Sequence, residues 1–320
     1  MKAVVLYSGG LDSNLALRII LDQGLEALAL TFFTPFIAPN VAESPLIEIE
    51  YRSLTFGQEY IDLVKSPSYG WGKNMNPCID CRIYTLKRAK KLMDEEGGSF
   101  LVTGEVLGQR PMSQRRDAFR LIEKEAGLKG LIFRPLSAKL LPPTIPEMEG
   151  WVKRGSLLDL RGRSRKPQME LAKRWGMEGY PNPTGGCKLT DPGFSCRLRE
   201  ALSFGEDGLR DMELLKLGRH FRLPSGAKAI VGRNEEENGR LSSLASSDDY
   251  FLEVVNFPSP LALLRKAKGE EDLLDAASLC VRYSDGEGVV KVRTWREGKE
   301  IDLPRVPPLE EDKILEYRLG

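Results

Sequence analysis

Residues 2–33 leave little choice about how this chain begins. An apolar run, KAVVLY, meets the turn SGGLDS; Leu11, Leu15 and Ile19 then recur every four residues until Gln23 and Gly24, and a second apolar run, EALALTFF, follows. Four-residue spacing marks one face of a helix, and short continuous apolar runs are strands buried on both sides. Strand, helix, strand in that order is a βαβ unit. It predicts a parallel α/β sheet with ligands bound beyond the carboxyl ends of its strands.

The rest of the chain reads less evenly. Pro35 to Pro77 is irregular, with Pro35, Pro39, Pro45 and Pro67 and the run YGWGKNMNP. From Cys78, CRIYTLKRAKKLMDEEGG has helical spacing with a basic face, followed by the strand FLVTG and a further strand of either sense in GLIFRPL. Pro142 to Pro146 marks an exposed loop. Residues 151–175 then carry Lys153, Arg154, Arg161, Arg163, Arg165, Lys166, Lys173 and Arg174 against Asp159 and Glu170, a local basic patch. Past YPNPTGGCKLTDPG the texture changes to short helices and short alternating strands (AKAIVG, YFLEVV, VVKVRTW), which predicts a smaller α+β domain. A chain of 320 residues is long enough for roughly two domains. We expect them at 1–190 and 191–306, with 307–320 a proline-punctuated tail.

Composition removes several chemistries. The chain has one histidine, His220, so a poly-histidine metal site is excluded and a Ser-His-Asp triad could form only around that residue. Five cysteines, Cys78, Cys81, Cys187, Cys196 and Cys280, are odd in number and thinly spread, which argues for metal or redox use over a disulfide framework. The longest apolar stretch, Ala27 to Ala38, is interrupted by Thr31, Thr34 and Pro35 and falls short of the roughly 18 residues a spanning helix needs. After Lys2 the apolar run is too short for a signal-peptide core. No membrane segment is expected, and the reading is cytoplasmic. A formal net charge of +1 gives no global attraction to nucleic acid, so any such binding must come from local patches.

In the turn Ser8, Gly9, Gly10, Leu11, Asp12, Ser13, two glycines stand where backbone must approach a ligand, at a helix N-terminus that attracts anions. The lysine of a Walker A loop is absent, and the spacing is not GxGxxG. The plainer reading is that Asp12 or Ser13 only caps the helix. SGGLDS after a first strand resembles the PP-loop signature of ATP pyrophosphatases, an adenine nucleotide alpha hydrolase-like fold. That resemblance implies that Ser8, Gly9, Gly10 and Ser13 hold the pyrophosphate portion of ATP, with Asp12 catalytic and near Mg2+. VTGEVLGQRPMSQRR followed by FRPL is similar to the TGE(x)LGQ and RPL segments of 4-thiouridine synthetases, the ThiI-like branch that thiolates tRNA. The same likeness implies Thr103, Gly104 and Glu105 at the nucleotide, and it extends over roughly residues 1–190.

Cys78 and Cys81 form a CxxC at a helix start, and Cys187 follows Cys81 by 106 residues in PTGGC. A helix dipole there is expected to lower thiol pKa values toward thiolates. The residues alone are open to a dithiol redox pair, a zinc site completed by Cys196, or plain buried cysteines, and Cys280 reads as a core residue. NPCxxC is similar to the segment carrying the catalytic cysteine of 2-thiouridine synthetases, and CxxC plus one distant cysteine resembles the iron–sulfur PP-loop thiolases. That resemblance implies that Cys78, Cys81 and Cys187 are catalytic and ligate a 4Fe-4S cluster with one open iron. A cluster-free persulfide and disulfide cycle is the rival.

For RNA, a tRNA by the resemblance, the expected contacts are Gln109, Arg110, Arg115 and Arg116 beside the reaction site, since basic side chains there suit phosphates. Arg82, Lys87, Arg88, Lys90 and Lys91 also lie beside that site, but the Lys87 to Lys91 run by itself reads better as a solvated helix face. TDPGFSCRL with LKLGRHFRLPSGAKAIVGRNEEEN, over about residues 190–296, resembles the NFACT-R domain, a module associated with RNA binding. Arg219, His220, Arg222, Lys228, Arg233 and Asn234 would then make contact; otherwise they are ordinary turn and strand-edge residues. The combined expectation is an enzyme, an ATP-dependent tRNA sulfurtransferase that adenylates a nucleobase carbonyl and takes sulfur from sulfide or a persulfide carrier. An amidating or ligating PP-loop enzyme, or a nucleotide-sensing RNA-binding adaptor, are the alternatives.

Overall fold

The computed structural model describes residues 1–36, 47–180 and 187–320. They form two compact units, Met1–Thr190 and Asp191–Gly320. In the first, the chain runs β1 (Lys2–Leu6), α1 (Leu11–Asp22), β2 (Glu26–Phe33), β3 (Glu50–Thr55), α2 (Gln58–Lys65), α3 (Cys78–Glu95), β4 (Phe100–Thr103), α4 (Arg116–Glu125), β5 (Ile132–Phe133), α5 (Ile145–Met148) and α6 (Lys166–Arg174). The strands make one five-stranded sheet in the order β3-β2-β1-β4-β5, parallel throughout.

Alternation along β1 explains the helices on both faces. Ala3, Val5 and Tyr7 join Leu11, Leu15 and Ile19 of α1 and Leu171 and Ala172 of α6 in one core. Val4 and Leu6 turn the other way, to Ile83, Leu86 and Met93 of α3 and Ile122 of α4. Burial of each such side chain is worth roughly 1.5–3 kcal/mol. The strand order reverses at β1, where an open α/β sheet leaves its ligand crevice. Because β1 and β4 are neighbours with Leu6 opposite Thr103, the segments that leave their carboxyl ends emerge side by side.

The irregular reading of Pro35 to Pro77 needs correction, since β3 and α2 lie inside it. β3 is an edge strand that exposes Glu50, Arg52, Ser53 and Thr55, so it lacks the apolar run that marks β1 and β2.

The second unit contains α7 (Pro192–Ser203), α8 (Leu209–Leu214), β6 (Arg219–Arg222), β7 (Lys228–Val231), α9 (Glu235–Leu244), β8 (Tyr250–Val254), β9 (Ala262–Arg265), α10 (Glu270–Arg282), β10 (Val292–Arg296), β11 (Lys299–Ile301), α11 (Glu311–Tyr317) and β12 (Arg318–Leu319). Its sheet has the order β11-β10-β8-β9-β7-β6-β12, antiparallel at every pair. Ala276, Ala277 and Cys280 of α10 pack on it, which accounts for Cys280 as a core thiol whose pKa burial pushes up to about 11. Residues 307–320 are not a loose tail. Leu309, Ile314 and Tyr317 enter the same core, and β12 pairs with β6. Among the described residues no helix is long and apolar enough to cross a membrane.

Candidate nucleotide and cysteine site

The turn after β1 is a backbone cradle. Gly9 has φ +71°, a left-handed conformation that a side chain would strain, and Gly10 is the N-cap of α1 with no side-chain cap bond. The reading of Asp12 or Ser13 as a mere cap therefore fails, and the first turn presents its amides. Ser13 Oγ instead donates to Gly10 O at 2.8 Å and lies 3.3 Å from Ser8 Oγ. Asn14, a residue that sequence reasoning missed, holds the loop from beneath. Fully buried, it donates from Nδ2 to Gly9 O at 2.9 Å and Gly10 O at 3.0 Å, and its Oδ1 accepts from Tyr7 OH at 2.9 Å. The available signal was a polar residue on the buried stripe of α1.

The segment after β4 closes the other side. A Cβ on Gly104 would stand 2.6 Å from the carbonyl carbon and oxygen of Asp12, so only glycine permits this approach. Gln109 Nε2 donates to Asp12 Oδ2 at 2.9 Å, while Asp12 Oδ1 and Gln109 Oε1 are buried without a hydrogen-bond partner among the described residues. Gln109, expected on RNA, is thus turned to Asp12 of the glycine turn. Thr103 Oγ1 donates to Glu105 at 3.1 Å, and Glu105 also receives Arg82 at 2.9 Å and Arg134 at 3.0 Å. Burial pushes the Glu105 carboxyl up, but Arg82 and Arg134 outweigh it and hold the group below the usual carboxylate range. Glu105 is therefore an internal anchor, and through Arg82 it ties α3 to this wall.

Cys78 opens α3 and Cys81 follows within the same turn. Cys187 is brought to them by backbone bonds: the Met75 N–H donates to Leu189 O at 3.2 Å, and the Lys188 N–H donates to Phe36 O at 3.0 Å. Cys78 Sγ donates to Asn76 Oδ1 at 2.9 Å, and Tyr60 OH donates to Cys81 Sγ at 2.9 Å. The sulfurs feel one another. Burial first, then the Cys81 charge, raises the Cys78 thiol; burial pushes Cys187 up to about 12, with Cys81 and Cys78 adding to it and Arg110 opposing. Tyr60 is raised as well, by burial and then by the same cysteines. For Cys78 desolvation therefore runs against the expected pull of the helix dipole toward thiolates.

Among the described residues no group of three Cys, His, Asp or Glu is set to hold a metal ion, which leaves the zinc reading without a site. Cys196 is exposed in α7. An iron–sulfur cluster is a different guest from a single ion: it is held by cysteine sulfurs. Cys78, Cys81 and Cys187 supply sulfur donors of that type, and Cys81 and Cys78 act on Cys187 through their charge, but the three are not set around a common ion.

The expected RNA residues divide. Arg110, Arg115 and Arg116 are exposed, though Arg115 pairs with Asp117 and Arg116 donates to Leu140 O. In the second unit Lys228 is 1% exposed, with Nζ 2.8 Å from Glu206 and 3.5 Å from Glu200, and Arg222 binds the same two carboxylates. His220 is buried with Nε2 on Leu217 O at 2.8 Å; burial, then the Lys228 and Arg197 charges, hold its pKa well below the ordinary histidine range. These three are corrected to internal roles. Arg219 lies over the Tyr283 ring, Arg233 donates to Gly218 O, and Asn234 caps α9 by accepting from the Glu237 N–H.

Residues 1–139 match the family model of the thiamine biosynthesis protein ThiI, and residues 218–318 match that of the NFACT protein RNA-binding domain. The chain thus carries a ThiI match ahead of an NFACT-R match. The first match ends before Cys187, short of the expected residue 190; the second starts later than expected and takes in the supposed tail. A probable tRNA sulfurtransferase from Geobacillus thermodenitrificans (strain NG80-2) is 30% identical over 114 residues, 34% of this chain and 28% of that protein. One from Thermoanaerobacter sp. (strain X514) is 30% identical over 142 residues, 42% of this chain and 36% of that protein. The chain spans about a third of the length of these curated relatives. A 4-thiouridine synthetase solved as an RNA complex with bound ATP is similar at 20% identity and a TM-score of 0.37, over 66% of this chain and 52% of that one.

Proposed function

We propose that this chain is an ATP-dependent tRNA sulfurtransferase. The observation that carries the reading is the segment from Thr103 to Arg110. Its Gly104 and Gln109 bear on the phosphate loop, and the charge of its Arg110 acts on Cys78 and Cys187, so one wall serves nucleotide and sulfur. Homology of residues 1–139 to ThiI and the named tRNA sulfurtransferase relatives point the same way.

In this reading the amides of Gly9 to Ser13 hold the β- and γ-phosphates, and Asn14 keeps their carbonyls turned away from the ligand. The unpartnered Asp12 Oδ1, steadied through Oδ2 by Gln109, faces Mg2+. A nucleobase carbonyl oxygen attacks the α-phosphorus and pyrophosphate leaves. Hydrosulfide then attacks the activated carbon, and AMP departs with the oxygen; where the terminal sulfur of a cysteine persulfide attacks instead, a second cysteine must cleave the resulting S–S bond, and an external thiol reductant must restore the cysteine disulfide left behind. Cys78, Cys81 and Cys187 would hold a 4Fe-4S cluster, which when bound supplies an iron able to present sulfide. The raised thiol pKa values of Cys78 and Cys187 mean that ligation by these two requires proton release against desolvation.

The test is pyrophosphate release and nucleoside mass spectrometry with unmodified tRNA, ATP, Mg2+ and sulfide. A thiolated nucleoside that disappears in Cys78→Ser, Cys81→Ser and Cys187→Ser supports the proposal. Wild-type pyrophosphate release that yields no thiolated nucleoside and is unchanged in all three variants would assign the chain to amidation or ligation. Iron and sulfide content of anaerobically purified protein tests the cluster separately.

A further inference from the structure

The basic stretch at residues 151–175 has no part in the site so far, yet its middle is mounted on that site's wall. The Gly162 N–H donates to Leu107 O at 2.8 Å, and Leu107 pairs with Arg161 as a parallel bridge. Ser137, fully buried, clamps the pair: its Oγ accepts from the Leu107 N–H at 2.9 Å and donates to Leu160 O at 2.6 Å. Arg161 is thereby fixed beside the segment that continues to Gln109 and Arg110. Farther along, Leu171 and Ala172 of α6 share the core of α1, the helix that the phosphate loop caps.

Along this line cations exceed the two exposed carboxylates, Asp159 and Glu170. Arg154 is tied to Glu147, but Arg110, Arg161, Arg163, Arg165, Lys166 and Arg174 make no ion pair among the described residues. All are exposed except the half-buried Arg165, whose Nε also lacks a partner among those residues. Like charges held this close repel, and an anion relieves them. α6 alone, with nine residues, extends about 13 Å. A bound triphosphate is too compact to meet both α6 and the run from Arg161 to Arg110, whereas a nucleic-acid backbone repeats its charge along its length.

We propose that this strip seats the backbone of the substrate RNA, which runs from α6 past Arg161 to Arg110, whose charge acts on Cys78 and Cys187. The proposal rests on the thiolation reading and names where its substrate lies.

The test is tRNA binding by the full chain, measured by fluorescence anisotropy between 50 and 200 mM salt, for wild type and for R163Q/K166Q/R174Q. Each lost phosphate contact reduces the slope of log affinity against log salt by about 0.7–0.9. The triple variant is expected to lose tenfold or more in affinity and about two units of slope, with an unchanged melting temperature and an unchanged affinity for a non-hydrolysable ATP analogue. Wild-type tRNA affinity and slope in the variant would overturn the strip while leaving the thiolation reading standing. Loss of ATP-analogue binding with tRNA binding intact would assign the strip to nucleotide. Polyglutamate that displaces tRNA at equal charge would assign it to an acidic protein. A wild-type chain that binds no tRNA would overturn both proposals.

Discussion

Gly104→Ala is the most economical test of the phosphate-loop geometry. The added Cβ would stand 2.6 Å from Asp12 C and O and 2.8 Å from Ser13 N. Ordinary contacts begin near 3.5 Å, so about 1 Å of movement is needed. The obstructing atoms are backbone, which cannot swing aside as a side chain can. Overpacking of this kind costs about 1–3 kcal/mol. In a unit of 190 residues that corresponds to a fall in Tm of roughly 2–4 °C per kcal/mol. The functional effect should be larger than the structural one, because a 1 Å displacement of positioning groups costs on the order of 100-fold in rate. The assay is tRNA-dependent pyrophosphate release beside a melting curve and calorimetric binding of an ATP analogue. Gly155→Ala is the control, since its Cβ would meet nothing within 4 Å. If Gly104→Ala binds the analogue as wild type does and retains rate within about threefold, the loop is not where ATP is held.

Asn14→Ala should cost about 1–3 kcal/mol by removing the buried side-chain bonds to Gly9 O, Gly10 O and Tyr7 OH, and should weaken analogue binding; unchanged affinity would remove Asn14 from the cradle. With Cys187 at about 12 against an ordinary thiol near 8.5, its thiolate fraction at pH 8 is lower by roughly three orders of magnitude. Iodoacetamide should therefore label Cys187 in metal-free protein far more slowly than in denaturant, and equal rates would contradict the burial. A raised folded pKa means the folded state keeps the proton longer, so this contribution is complete at neutral pH and is lost as pH climbs from about 9 toward 12, measurable as a falling denaturation midpoint. Arg222 and Lys228 hold Glu206 down to about 2, against the burial that raises it, so Glu206→Gln should destabilise the second unit by about 3–5 kcal/mol through two buried cations left short of a partner. An unchanged melting curve would show that the network contributes nothing.

What could be read in advance follows from which forces leave a mark in one dimension. The βαβ opening is legible because Val4, Val5, Leu11, Leu15 and Leu28 are all buried and therefore all apolar. β3 is not, because an edge strand needs polar residues on its free side. The segment at 307–320 misled because two prolines precede a helix whose anchors, Leu309, Ile314 and Tyr317, are widely spaced. At the site, the motif residues are visible but their partners are not. Nothing in GQRP says that Gln109 turns to Asp12, and nothing in GRHFR says that His220 turns inward, while Arg222 of β6 and Lys228 of β7 meet Glu200 and Glu206 from upstream. The direction of the cysteine pKa shifts was hidden for the same reason: a helix start can be read from sequence, but the burial that outweighs its dipole cannot.

The run from Thr103 to Arg110 is where these effects meet, and it makes the site mechanically indivisible. Gly104 abuts the Asp12–Ser13 peptide, Glu105 binds Arg82 of α3, Leu107 is clamped by Ser137 to Leu160 and Gly162, and Gln109 holds Asp12. A change at Asn14 reaches only the phosphate loop, and a change at Asn76 only Cys78. A change at Glu105 alters both ends, since it leaves the buried Arg134 and the half-buried Arg82 short of a carboxylate and frees α3 from the wall. Defects in ATP-analogue binding and in cysteine reactivity should therefore separate for substitutions in α1 and near Cys78, and coincide for substitutions between Thr103 and Arg110.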